Sequence, residues 1–348
     1  MAFAKLEFKK GQVNRAGEIL AGRAKFDPAE YVWAYSVLSN WRASHLYPIN
    51  TFQALLRLKL KGIDKNALVA QRLKRAPSII SKLQRFNEMN LARMQDIGGL
   101  RAVVSSMARV RRIEEAYRNA SFKHKLVSSK DYIQEPKPDG YRSVHLIYRY
   151  SNVRAPAYEG LSLELQIRTR LQHAWATAVE TMGTFLGQAL KSGKGDQDWR
   201  NFFAIASAAL AIVEKTPAVP GFEKLTPKQV FKRLADAEKK LRVLDKLNGF
   251  AIATDRIIKE RGQGAYHLVV LDSAARTVSI RPFAQARLDE ANKAYAEIEA
   301  RASAGESIEA VLVSAGPVEA LRKAYPNYFL DTQAFVAEVQ RIISDAKA

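Results

Sequence analysis

The segment from Leu161 to Arg168 alternates so cleanly that each side chain can be given a face: Leu161, Leu163, Leu165 and Ile167 on one side, Ser162, Glu164, Gln166 and Arg168 on the other. A period of two is the mark of a strand, here with one apolar face for a core and one polar face shared by Glu164 and Arg168. Three more runs, Leu100–Val104, Phe122–Val127 and Arg142–Tyr150, are rich in β-branched and aromatic residues, and Met107–Asn119 between the first two reads as helix. After the last strand, Thr169-Arg-Leu-Gln172 is a capping-box start, and Ala174–Phe185 keeps an apolar face. The centre of the chain is therefore expected to be a sheet flanked by helices, α/β (α+β) in class.

The flanks read as helix. Ala29–Arg42 and Thr51–Leu60 carry apolar residues at helical spacing, with Pro48 and Gly62 as breaks, and Lys65–Phe86 reads as a helix interrupted at Pro77. Beyond Gly183 the composition shifts, and Gly187–Asp198 reads as a loop. Asp198–Glu214 and Thr226–Leu247 follow as two helices, the second with a Thr N-cap, Pro in its first turn and the stripe Val230, Leu234, Leu241, Leu244. Two alternating runs around Asp272-Ser-Ala-Ala-Arg276 signal a hairpin, then a helix over Ala284–Ala302, a strand over Ser307–Ser314 and helices around Pro317–Ala346. With 348 residues, two domains are expected: residues 1–195, a helical bridge over 196–250, and a C-terminal module over 251–348.

Composition narrows the chemistry. There is no cysteine, which excludes disulfides and thiolate zinc sites. The start, Met-Ala-Phe-Ala-Lys-Leu-Glu, lacks a basic end followed by an apolar run, and the longest apolar stretch, near Phe202–Val213, is too short to span a bilayer. The expectation is a soluble, cytoplasmic chain with no membrane partner. The formal charge of +20 is uneven: residues 1–195 hold 33 Lys and Arg against 15 Asp and Glu, net +18, leaving 22 against 20 for the rest. Such an excess favours polyanionic partners, nucleotides or RNA, over a merely solvated basic face.

Three ordered motifs lie in the basic half: Arg93-Met-Gln-Asp-Ile-Gly-Gly-Leu-Arg101, Asp131-Tyr-Ile-Gln-Glu-Pro-Lys-Pro-Asp-Gly-Tyr-Arg-Ser-Val-His145 and Glu164-Leu-Gln-Ile-Arg-Thr169. Asp96 precedes the first strand at a Gly-Gly turn, where its carboxylate can meet one from a neighbouring strand. Glu164 is the candidate, and two carboxylates with substrate phosphates are a usual Mg²⁺ site. The alternative is that Asp96 caps a turn and Glu164 forms a structural pair with Arg168. In the middle motif Pro136, Pro138 and Gly140 shape a loop, Lys130 and Lys137 offer charges to phosphate, and Tyr141 is placed to stack on a base or to pack in a core. Arg72-Leu-Lys-Arg75, Ser78 and Lys82 form a second basic cluster, with Arg75, Ser78 and Lys82 on one helical face if the helix runs past Pro77.

Together with Arg72-Leu-Lys-Arg75 and Ser78-Ile-Ile-Ser-Lys-Leu83, these motifs resemble the synthetase domain of the RelA/SpoT homologue family over roughly residues 65–185. The resemblance implies a nucleotidyltransferase-like mixed sheet. It also implies transfer of the β,γ-pyrophosphate of ATP to a ribose 3′-hydroxyl. Asp96 and Glu164 would hold Mg²⁺, with Glu164 also the candidate base. Arg72, Lys74, Lys82 and Arg101 would contact ATP, Tyr141 would stack on the acceptor base, and Lys130, His145, Gln166 and Arg168 would line the site. Long members of the family often carry Arg-x-Lys-Asp or Glu-x-Asp-Asp before the loop; Ser128-Ser-Lys-Asp131 keeps only the Lys-Asp half, which leaves the acceptor open. The five histidines include no His-Asp dipeptide of the kind the family's hydrolase half requires, so no hydrolase activity is expected.

Two acceptors fit the resemblance: GDP or GTP, as in alarmone synthesis, and the 3′ CCA end of tRNA, as in toxic small relatives; the net charge of residues 1–195 favours tRNA. Ala324-Tyr-Pro-Asn-Tyr-Phe329 places Tyr325 and Tyr328 around a proline that disfavours helix at Tyr325, so a turn is expected. This resembles the Tyr-x-x-Tyr element of fused toxin–antitoxin, capsid-triggered members of the family, whose small C-terminal α/β module resembles a metal-free zinc finger. There Tyr325 and Tyr328 would occupy the adenine site until a phage protein binds the module. Two other readings remain: a constitutive small alarmone synthetase, and a non-catalytic basic RNA-binding module.

Overall fold

A five-stranded mixed sheet organises the first part of the chain. In the computed structural model, which describes residues 3–120, 122–186, 197–259, 264–272, 275, 277–303, 306, 308–314 and 328–345, the contacts divide the chain into two compact units. One comprises Met1–Tyr132 and Ser143–Thr169, the other Ile133–Arg142 and Arg170–Ala348.

The first unit begins with helices α1 (Lys10–Leu20), α2 (Pro28–Ala43) and α3 (Leu46–Lys61). Helix α2 starts where its sequence demands: Asp27 accepts from the Glu30 N–H at 2.8 Å, the Glu30 carboxylate accepts from the Asp27 N–H, and Pro28 needs no partner for a missing N–H. The sheet has the order β1-β2-β5-β4-β3, formed by β1 (Leu68–Leu73), β2 (Gly98–Val104), β3 (Lys125–Asp131), β4 (Val144–Arg149) and β5 (Ser162–Thr169). Only β2 and β5 run parallel; the other neighbours are antiparallel. Helices α4 (Ala76–Arg85) and α5 (Met107–Arg118) complete the unit. The apolar face of the sheet, with Leu100, Ala102, Leu163, Leu165 and Ile167 buried, packs against α3 and α5 through Ile49, Phe52, Val110 and Ile113.

Three expectations are corrected here. Residues 65–86 are not one interrupted helix. Leu68–Leu73 is an edge strand and the helix begins at Ala76, because the ladder to β2 overrides good helix formers while Pro77, near a helix start, suits a beginning and not a middle. The third strand is Lys125–Asp131 rather than 122–127, with a register shift between Leu126 and Ser128. The helix read over 226–247 is two, α8 (Pro227–Leu241) and α9 (Val243–Lys259), broken at Arg242, whose φ of 51° is left-handed. The Glu238 carboxylate accepts from the Val243 and Leu244 N–H groups and so restarts the second helix.

The second unit adds α6 (Arg170–Phe185), α7 (Gln197–Val213), α10 (Leu288–Ser303) and α11 (Tyr328–Asp345) to α8 and α9, with an antiparallel sheet β7-β6-β8 built from β6 (Tyr266–Asp272), β7 (Thr277–Phe283) and β8 (Ile308–Ser314). The hairpin read from the sequence is β6–β7. Phe185 of α6 stacks on Phe250 of α9 at 4.3 Å inside a large apolar cluster that includes Phe202, Phe203, Leu234 and Phe335. The loop read over 187–198 falls outside the described residues except for its last two positions, which open α7, and the region around Pro317 falls outside them as far as residue 327. Among the described residues, no helix is long and apolar enough to cross a membrane.

Gly98 lets α3 approach the sheet. A Cβ there would stand 2.9 Å from Leu163 Cδ2 and 3.0 Å from Ile49 Cδ1. Gly98→Ala is therefore expected to lower stability by about 1–3 kcal/mol in urea unfolding. Gly99→Ala, whose Cβ meets nothing closer than 3.9 Å, should stay within about 0.5 kcal/mol of the parent. Equal effects from the two would refute the packing argument.

Candidate active site

Strand register gathers the predicted residues on one face. Arg72 of β1 stands opposite Gly99 of β2, and Gly99 opposite Glu164 of β5. In the next row Arg101 of β2 faces Gln166 of β5, Gln166 faces His145 of β4, and His145 faces Lys130 of β3. Because side chains alternate along a strand, Arg72, Arg101, Lys130, His145, Glu164 and Gln166 all rise from the same side, the one opposite α3 and α5.

The middle of that side is buried, while Arg72 and Lys130 at its edges are exposed. Glu164 is 9% exposed, Arg101 6% and Arg168 1%. His145 Nδ1 is 2.9 Å from Glu164 Oε1, and Gln166 Nε2 donates to Glu164 Oε2 at 2.8 Å. Arg168 Nη2 donates to Gln166 Oε1 at 2.5 Å, so Gln166 stands between Glu164 and Arg168 and is bonded to each. Tyr132 sets its ring edge-on to His145, with centroids 5.2 Å apart.

Asp96, the second carboxylate, sits just ahead of β2, where the corner between β1 and α4 reaches it. Lys74 leaves β1 with its N–H bonded to Ile97 O at 2.8 Å, and Lys82 points from α4. Their ammonium groups close on Asp96: Lys74 Nζ to Oδ2 at 2.9 Å, Lys82 Nζ to both oxygens at 3.1 Å. Arg75, expected on a helical face with Ser78 and Lys82, is instead the extended residue before the helix, with ψ of 142°. Asp96 is thus an ion-paired carboxylate and not only a turn cap.

The remaining predicted residues lie elsewhere. Tyr141 belongs to the second unit, half-buried on the 133–142 loop, with Lys137 Nζ 5.2 Å above its ring and the Trp175 ring edge-on at 6.5 Å. Tyr325 is outside the described residues, and Tyr328 is the first residue of α11 rather than part of a turn. Sequence reading missed Arg42, whose Nε donates to Lys74 O at 2.8 Å and braces the corner, and Tyr132 beside His145. Neither carries a local signal, since each acts on a residue that only the fold brings near.

Residues 71–183 match the family described as the region found in RelA / SpoT proteins. This segment is a RelA/SpoT domain. The chain is 33% identical over 135 residues to the GTP pyrophosphokinase YjbM of Bacillus subtilis, covering 35% of this chain and 63% of that protein. It is 34% identical over 111 residues to the GTP pyrophosphokinase YwaC of the same organism, covering 30% of this chain and 52% of that protein. The chain thus spans between half and two thirds of the length of these relatives. The crystal structure of small alarmone synthetase 1 from Bacillus subtilis bound to its product pppGpp aligns over 50% of this chain and 93% of its own, at 26% identity and a TM-score of 0.42.

Electrostatics in the RelA/SpoT domain keeps both carboxylates ionised. Burial pushes the Asp96 carboxyl upward, but the charges of Lys74 and Lys82 outweigh it and hold the group below its ordinary value; Glu164 pushes the other way, so the two carboxylates feel each other. Burial also opposes ionisation of Glu164, yet the hydrogen bond and charge of His145, the amide of Gln166 and the charge of Arg72 bring it down to about 2. Burial lowers Lys74, only partly offset by Asp96. Among the described residues no group of three or more His, Cys, Asp and Glu could hold a metal by itself. Two ionised carboxylates form an all-oxygen donor set that suits Mg²⁺, which commonly takes one or two carboxylates and completes its shell with water and substrate phosphate.

A depressed carboxylate stabilises the fold above its unfolded value and loses that contribution as pH falls toward the folded one. Glu164 should therefore add acid sensitivity between its ordinary value of 4.5 and about 2, with Asp96 acting in the same direction. Glu164→Gln should flatten the stability curve across that window in acid titration followed by circular dichroism; an unchanged slope would count against the assigned ion pair.

Proposed function

We propose that the chain is an ATP-dependent pyrophosphokinase that moves the β,γ-pyrophosphate of ATP to a ribose 3′-hydroxyl. The observation that carries this reading is Asp96 held between Lys74 and Lys82 just ahead of β2, in the same unit as the sheet face that carries Glu164, Arg72, Arg101 and Lys130. Phosphoryl-type transfer asks for positioning and for cations against charge on the phosphate oxygens, with little covalent help from the protein. Lys74, Lys82, Arg72 and Arg101 meet the donor's phosphates, and Asp96 and Glu164 would hold Mg²⁺, which would supply further charge neutralisation. Glu164, kept in place by His145 and Gln166, orients the acceptor hydroxyl and is the candidate base. The 3′-oxygen attacks the β-phosphorus, the bond from that phosphorus to the α-phosphate oxygen breaks, AMP leaves, and the hydroxyl proton passes to the base.

The acceptor side comprises Lys130, Gln166 and Arg168 with Tyr141 as the stacking residue, on the strength of the resemblance. The net +18 of residues 1–195 supports the 3′ CCA end of tRNA as acceptor, with arrested translation as the consequence. GDP or GTP is the second reading, supported by the names of the relatives, which are GTP pyrophosphokinases. A C-terminal restraint through Tyr325 and Tyr328, released by a phage protein in anti-phage defence, completes the proposal and rests on the resemblance of residues 324–329.

ATP labelled in its γ-phosphate, offered with bulk tRNA, GDP and GTP, tests the reading. Label should enter one acceptor, and Glu164→Gln and Asp96→Asn should each reduce transfer by at least about 100-fold. Transfer that survives both substitutions would remove the carboxylates from the mechanism. No transfer to any acceptor, with tRNA still bound, would make the chain a binding module.

A further inference from the structure

The loop Ile133–Arg142, which carries Tyr141, belongs to the second unit together with α7. We propose that α7 and the turn after it, through Ser207, Glu214 and Thr216, form the positioning device for this loop and thereby fix how Tyr141 meets the acceptor. The proposal rests on the reading that Tyr141 stacks on the acceptor's base, and it adds residues that lie beyond the RelA/SpoT region, which ends at 183.

The two residues flanking Tyr141 are both gripped. On one side Gly140 has a φ of +89°, and its carbonyl accepts from Ser207 Oγ at 2.6 Å. A Cβ at Gly140 would lie 2.7 Å from Ser207 Cβ, 3.1 Å from Trp175 Cζ2 and 3.3 Å from Ala204 Cα, so the loop backbone lies directly on α6 and α7 where only glycine fits. On the other side Arg142, 2% exposed, donates from Nε to Ser207 Oγ at 3.1 Å and from Nη1 to Glu214 Oε2 and Thr216 Oγ1, each at 3.0 Å. Gln172 of α6 donates to the same Glu214 oxygen at 3.0 Å. Within the loop, Gly140 N–H bonds to Lys137 O at 2.9 Å and Tyr141 N–H to Asp139 Oδ1 at 2.9 Å, so the turn has its own shape before it is held.

The chemistry of the grip argues for positioning. Burying a guanidinium and a carboxylate carries a desolvation cost that apolar side chains of the same volume would avoid. What the polar version supplies is direction: Arg142 reaches Ser207, Glu214 and Thr216 at once, and the backbone before Tyr141 is tied to the same serine. The turn that presents Glu214 and Thr216 is itself shaped for this, with Lys215 at a left-handed φ of 53° and Thr216 N–H returning to Ala211 O at 3.0 Å. An orientation set this way passes to the ring of Tyr141 through its own two peptide bonds.

Amide hydrogen exchange and transfer kinetics on the full chain test this with Ser207→Ala, Glu214→Gln and Gly140→Ala. Each variant should speed exchange across 133–142 by about tenfold or more while β2 and β5 exchange as in the parent. Each should also raise the acceptor KM about tenfold with the ATP KM within about twofold. Unchanged exchange in the loop overturns the proposal, as does a rise shared equally by β2 and β5, or acceptor and ATP KM values rising together, because all three mean a merely structural role. If the parent transfers no pyrophosphate to any acceptor, the functional reading falls on its own, and the exchange measurement still decides whether α7 holds the loop.

Discussion

The pairing of β2 with β5 decides which side chains can meet. Their parallel register sets Gly99 against Glu164 and Arg101 against Gln166. A slip of one residue would turn Glu164 toward α3 and α5, into an apolar layer and away from His145. The register is enforced from the opposite face, where Leu100 and Ala102 pack with Leu165 and Ile167 and where Gly98 leaves room for Ile49 and Leu163. Core packing and site geometry are therefore one constraint expressed on two sides of a sheet, and a change in the core is felt at the carboxylates.

Charge follows from that geometry. The ionised Glu164 meets the charge that Arg72 brings to this face, and Asp96 meets those of Lys74 and Lys82 ahead of β2. Asp96 keeps Lys74 and Lys82 together although burial disfavours the Lys74 ammonium. Under the proposed function, a polyphosphate would offer those ammonium groups new partners and a divalent cation would offer the carboxylates one, so both would enter as an exchange of ion pairs rather than as a net addition of charge. The net +18 of residues 1–195 would act at longer range on any polyanionic partner, in a way that salt suppresses.

The sequence made β5 legible because alternation over eight residues has a single geometric meaning, and the three motifs single out Asp96 and Glu164 as candidates by residue type and spacing alone. It hid β1: Leu68-Val-Ala-Gln-Arg-Leu73 suits a helix as well as a strand, and only the presence of β2 selects the ladder. The helix α1 went unread, its apolar positions being few. Arg242 was read through as helix because nothing in Leu-Arg-Val announces a left-handed residue; the Glu238 carboxylate that caps the restart is visible only in three dimensions. The same holds for Glu214, which meets Arg142 from 72 positions away in the turn that follows α7.

That long-range pair bears on where the functional part of the chain ends. The RelA/SpoT match covers 71–183, yet the loop within it that carries Tyr141 is held by α7, which starts at Gln197. A chain cut at residue 195 would keep every motif and lose Ser207, Glu214 and Thr216. Arg142 would then be left without its counter-ion in the place where burial had required one, or the loop would leave that place altogether. Either result displaces Tyr141 without involving regulation. A shortened chain that loses activity thus says nothing about restraint by the C-terminal module, and one that gains activity does so despite a released loop. Point changes in the full chain separate the two effects, because the grip on the loop is made by side chains of α6, α7 and the turn after it, whereas Tyr325 and Tyr328 lie more than 100 positions further on.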